Sequence, residues 1–227
     1  MNKHYFFLIG LISFLAGSSC TKKADPDLSD YEFFPIESGN FVVYEVEKIV
    51  YTPNNIQEEH FFLKEKIAEE YTAGNETKFR VERYTKKELN EPWPVDPDSV
   101  WAVLYAPNRI VKVESNMRYV KLMFPLAEGK IWNGNSENIA PVENYKITGL
   151  KRPYTVNNRN FNQSLRVTQS DEFNKIKKNS KMEVYARGVG MVHKSIEIYE
   201  YDQDFIGDYK IKSGLKYVEK IVEHGKE

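Results

Sequence analysis

The strongest constraint on this chain is a hydrophobic period of two. In FVVYEVEKIVY, residues 41–51, Val42, Tyr44 and Val46 alternate with Val43, Glu45 and Glu47. In TKFRVERYT, Phe79 and Val81 stand against Arg80 and Glu82. HFFLKEKIAEEY sets Phe61, Leu63 and Ile67 on one side and Phe62, Lys64 and Lys66 on the other, with a helix over residues 59–71 as the competing reading. Further runs follow: VWAVLYA, RIVKVES, RYVKLMFP, NYKITGL, SLRVTQS, MEVYARG, MVHKSIEIYEY and LKYVEKIVEH. β-Branched and aromatic residues at this period form strands with one face toward a core.

The links between runs are short. TPNN, AGNE, APNR, GNSEN and VNNRN carry Asn and Gly, which adopt the positive φ of tight turns. Strands joined by such links pair antiparallel. Long helical patterns do not alternate with the strands, which argues against a parallel sheet. Ser170 to Lys181 is the candidate for a helical turn or a longer charged loop. The expected fold is mainly β with little helix: a single antiparallel, meander-rich sheet of about ten or more strands, curled into a barrel, half-barrel or sandwich.

The N-terminus reads as a processed end. Lys3 precedes an apolar run from Tyr5 to Leu15, then Ala16, Gly17, Ser18, Ser19 and the single cysteine, Cys20. That layout is a signal peptide over residues 1–19, too short to span a bilayer. A cysteine after small residues resembles the lipobox of bacterial lipoproteins, departing from it where Gly17 replaces the usual leucine. The resemblance implies acylation of Cys20, and multiple acyl chains hold far more firmly than one. The alternative is a plain signal peptide with an incidental cysteine. Residues 20–30 read as the acylated cysteine and a flexible tether, and residues 31–227 as one β domain.

One phrase occurs twice: FFPIESGN at 33–40 and MFPLAEGK at 123–130. Proline places Pro35 and Pro125 at strand starts or edges, and Gly39 and Gly129 can supply positive φ. Each copy reads as a corner that feeds a new strand, either by reuse of a good corner or by duplication of a half-domain. YEFFPIESGNFVVYEVEKIVY resembles the opening of uncharacterised envelope lipoproteins of bacteroidete-type bacteria, Tyr-Phe-Pro-Leu-x-x-Gly-Asn. MRYVKLMFPLAEGKIWNGN and VYARGVGMVHKSIEIYEY are similar to internal segments of the same group. This chain departs from that group where Phe41 and Val42 replace an aromatic-Trp pair. The likeness implies a β-rich lipoprotein of the cell envelope, with the outer membrane as the expected site and the exposed face open. It implies no activity.

Motifs for chemistry are sparse. Net charge is −1, so no nucleic-acid footprint is present. His60, His193 and His224 fall in no paired ligand spacing, so no metal and no cofactor is expected. No nucleophile-elbow serine, Walker A or dinucleotide motif occurs, and no catalytic residue is assigned. Gly188-Val189-Gly190 reads as a hairpin or bulge. Trp93, between Pro92 and Pro94, is the candidate contact for a partner or glycan, or else a ring folded back over the sheet. Asp98-Ser99-Val100 resembles a short acceptor for O-linked glycans. Three roles remain: a non-enzymatic binding or structural lipoprotein, a carrier of lipid or another hydrophobe, and a hydrolase with unrecognised residues.

Overall fold

The computed structural model describes residues 28–227; the signal peptide and Cys20 lie outside the described residues. Twelve strands make one sheet: β1 Asn40–Thr52, β2 Asn55–Ala73, β3 Glu76–Lys86, β4 Ser99–Ala106, β5 Arg109–Glu114, β6 Met117–Met123, β7 Ile131–Asn133, β8 Asn144–Val156, β9 Arg159–Phe173, β10 Lys177–Ala186, β11 Gly190–Tyr201 and β12 Ile211–Lys226. The order is β6-β5-β4-β3-β2-β1-β12-β11-β10-β9-β8-β7, a meander in which β12 returns to β1. The sheet curls until it is nearly closed into a barrel, because a twisted sheet this wide must curl or split.

The remaining gap lies between β6 and β7, and side chains bridge it more than ladder bonds do. Val120 N donates to Gly134 O at 2.9 Å. Trp132 Nε1 donates to Val120 O at 2.8 Å, and Asn138 Nδ2 to Arg118 O at 2.7 Å. Glu137 accepts from Arg118 at 2.7 Å and also pairs with Arg109.

The repeated phrase forms the same corner twice. Asn40 N donates to Glu37 O and Lys130 N to Ala127 O, both at 3.1 Å. Gly39 N reaches Ile67 O at 2.8 Å and Gly129 N reaches Ile147 O at 2.9 Å, each onto the strand that follows. Both glycines take the left-handed φ expected of them, +88° and +77°. The corners open β1 and β7, six strands apart in a ring of twelve.

Leu28–Phe33 form a 3-10 helix across one end of the barrel. It ties three turns: Tyr31 Oη donates to Pro107 O at 2.6 Å, Leu126 N to Asp30 Oδ2 at 2.9 Å, and Gly188 N to Glu32 O at 2.8 Å. Phe33 is fully buried in the main apolar cluster with Ile110, Leu122, Leu165 and Tyr185. The fold therefore takes in the last residues assigned to the tether, since Asp30 is buried by these contacts. Ser170 to Lys181 is corrected as well. It is the end of β9, a tight turn whose Asn174 Oδ1 accepts from Ile176 N and Lys177 N, and the start of β10. Lys177, Lys178 and Lys181 lie along β10 while Lys175 sits in the turn, which Asn174 makes and charge patterning had obscured. The segment 59–71 is strand, within β2.

Candidate functional site

The inner face of the barrel carries charge where period-two patterning leads one to expect only apolar residues. Glu65 shares a strand face with Leu63 and Ile67, and Lys112 with Ile110. Opposite them stand Glu183 on β10, Lys194 on β11 and Glu219 on β12, with Lys121 on β6 and Glu114 on β5. Lys121 Nζ lies 2.7 Å from Glu183 Oε1 and 2.9 Å from Glu114 Oε1. Glu183 is 1% exposed, and its other oxygen accepts from Tyr185 Oη at 2.6 Å. Glu65 takes Arg83 Nε at 2.9 Å and Lys112 Nζ at 2.7 Å on separate oxygens. The Arg83 guanidinium also lies 3.6 Å from the centroid of the Trp101 ring.

Four carboxylates and four cations thus form a belt with a formal sum of zero. Neutrality matters because an unpaired charge in such surroundings carries a large desolvation cost. Burial by itself would push the Glu65 carboxyl up; the Lys112 ammonium and Arg83 guanidinium outweigh it and hold the group below the usual carboxylate range. Burial acts on Glu114 and Glu183 in the same way, and Lys121 and Lys194 outweigh it at both. Glu219 is the exception. Burial pushes its carboxyl up, with Glu65 adding to the effect against the pull of Lys194. Its Oε1 accepts from Tyr217 Oη at 2.6 Å, and its Oε2 has no hydrogen-bond partner among the described residues.

The belt separates two cavities. One, of about 300 Å³, is walled by apolar and ring surface such as Phe34, Ile67, Val81, Trp101 and Val103 and by the charged side chains, Glu219 and Lys194 included. The other, of about 450 Å³, reaches toward the β7–β8 connection at Ala140 and Val142. Both share Glu114, Lys121, Glu183 and Lys194 as wall.

The residues singled out from sequence do not gather there. Trp93 is half-buried, with Lys86 Nζ 4.2 Å and Lys64 Nζ 5.9 Å from its ring centroid, so the loop folds back against these two lysines. His193 is bonded to the Tyr154 hydroxyl, and burial, with Lys220 and Arg166 nearby, lowers its pKa to about 4. His60 is exposed on β2, and His224 reaches the rim of the smaller cavity. Asp98 Oδ2 accepts from the Thr85 hydroxyl at 2.8 Å, which pins the β3–β4 connection. Gly188-Val189-Gly190 is the β10–β11 turn. Sequence reasoning missed the belt. The available signal was a charged residue in phase with apolar ones, as at Glu65.

No protein-family profile matches this chain, and a search of curated proteins returns no match. Among solved structures, a protein of Bacteroides fragilis provisionally named as exported, with a YmcC-like fold, is 9% identical, covering 86% of this chain and 99% of its own with a TM-score of 0.48. A protein of Parabacteroides distasonis provisionally named as a lipoprotein is 11% identical, covering 85% and 98%, with a TM-score of 0.38. Both likenesses are too distant to carry an argument about function.

Proposed function

We propose that this chain is a lipid-anchored protein of the cell envelope, non-enzymatic in role, whose barrel holds a small ligand in its lumen. The anchor rests on the sequence layout around Cys20, with the outer membrane as the proposed site. One observation carries the binding reading: the cavity of about 300 Å³ within the wall. Its size reaches the lower end of the range for small-molecule sites, about 300–1,000 Å³, and its wall combines apolar surface with a few polar groups. The carrier reading is narrowed by the belt. A long acyl chain threaded through the barrel would have to pass Lys121 and Glu183, displacing a buried pair 2.7 Å apart. A short occupant of one cavity leaves that pair intact.

The test is native mass spectrometry of the full-length chain released from membranes, followed by organic extraction. A stoichiometric small molecule in the extract supports the reading. A bare mass, together with no saturable binding from an envelope extract, sinks it. The anchor is tested separately: Cys20→Ser should leave the protein in the soluble fraction, and retention in washed membranes would overturn it.

A further inference from the structure

Lys194 and Glu219 face each other directly in the β11–β12 register, and both form part of the wall of the smaller cavity. Each is incompletely satisfied. Glu219 is 3% exposed, yet its Oε2 has no partner among the described residues. Lys194 Nζ comes no nearer than 3.7 Å to Glu183 Oε1 and 3.9 Å to Glu114 Oε2, beyond hydrogen-bond range. A buried carboxylate oxygen left in this state is costly and rare, and the half-buried Lys194 ammonium has donors to spare. Glu219 is itself part of the cavity wall, and the last torsion of its carboxyl is soft.

A single group that both gives and takes a hydrogen bond would complete the two side chains at once. With Glu219 ionised the belt sums to zero, so a charged head would leave a net charge beside buried side chains. Burial pushes the Glu219 carboxyl up, and a hydroxyl or primary amide suits that carboxyl in either protonation state. We infer that the lumen takes a small uncharged amphiphile, its hydroxyl or amide head between Lys194 and Glu219 and its apolar body against Ile67, Val81 and Val103. This deepens the lumen-binding reading and rests on it. At about 30 Å³ per water-sized group, the cavity suits a molecule of about ten such groups.

The test uses the full-length chain in lipid nanodiscs with its Ile and Val methyls labelled, titrated with hexanamide, hexanoate and hexylammonium. Hexanamide should shift the methyls of Ile67, Val81 and Val103 saturably, with a Kd of about 1 mM, and each charged probe should bind about tenfold more weakly. Glu219→Leu should weaken hexanamide about tenfold. Should that variant not fold, the head-group comparison in the unaltered protein decides. A charged probe that binds as tightly as hexanamide overturns the neutral head and leaves lumen binding standing. No saturable shift with any probe makes ordered water the occupant and removes both.

Discussion

Replacing Lys121 by Met tests the belt most directly. The side chain is almost wholly buried, and its ammonium holds Glu183 at 2.7 Å and Glu114 at 2.9 Å. Methionine keeps the length and apolar stem but leaves Glu183 and Glu114 with Lys194, at 3.7 and 3.9 Å, as the only cation within 4 Å among the described residues. Breaking a buried pair by removing one partner costs about 3–5 kcal/mol, because the charge left behind is uncompensated. With a urea m value of about 2–3 kcal/mol/M, the unfolding midpoint should fall by about 1–2.5 M. The loss should depend on pH in a definite direction. Glu114 and Glu183 are held low in the folded protein, so their stabilisation is present above the unfolded carboxylate range of about 4.3 and fades as pH falls through the folded values. The difference between Lys121→Met and the parent should therefore be largest at neutral pH and shrink in acid. Adding Glu183→Gln restores a zero sum and should recover about half the loss or more. A single-variant cost below about 1 kcal/mol, the value of an exposed pair, or a deficit that does not narrow in acid, would refute the reasoning.

Other outcomes follow from the same structure. Glu219→Gln should stabilise the fold above about pH 4.3, because a folded carboxyl pushed up loses stability as pH rises from its unfolded value through its folded one; chemical unfolding at pH 4 and pH 7 should show the gain only at the higher pH. Gly129→Ala should cost about 1–2 kcal/mol for the left-handed φ alone, whereas Gly39→Ala should cost clearly more, since its Cβ would also strike the backbone oxygen of Glu227. Equal unfolding midpoints for the two variants would sink that comparison. Phe33→Ala should lose about 3–5 kcal/mol, read by thermal unfolding, because the ring is fully buried at the capped end. Trp93→Ala should lose about 0.5–2 kcal/mol, the range of a cation–π contact at a half-buried ring such as the one with Lys86.

The elements were legible in the sequence because their causes are local. Alternation in β1 and β3, the Asn and Gly turns, and the corner at Pro35 to Gly39 each depend on a few adjacent residues and the torsions they allow. Ser170 to Lys181 misled because its lysines look like a solvated helix, while the turn is made by one side chain, Asn174, bonding forward to two amides. The belt was hidden for a different reason. Glu65 and Lys112 are close in space but 47 residues apart in sequence, and register shifts at Val43/Tyr44, Val184/Tyr185 and Ile110/Val111 break the parity by which inward and outward residues could be followed.

The sequence by itself therefore determined the class of structure: an antiparallel meander entered through one repeated corner, since backbone torsions and period-two burial are written residue by residue. Only the tertiary structure decided that the sheet nearly closes, that Trp132 and Asn138 bridge its gap, and that eight charges meet inside. Closure depends on the summed twist of twelve strands, and pairing of buried charge depends on which distant side chains that closure brings within 3 Å or so. Neither quantity belongs to any short stretch of the chain.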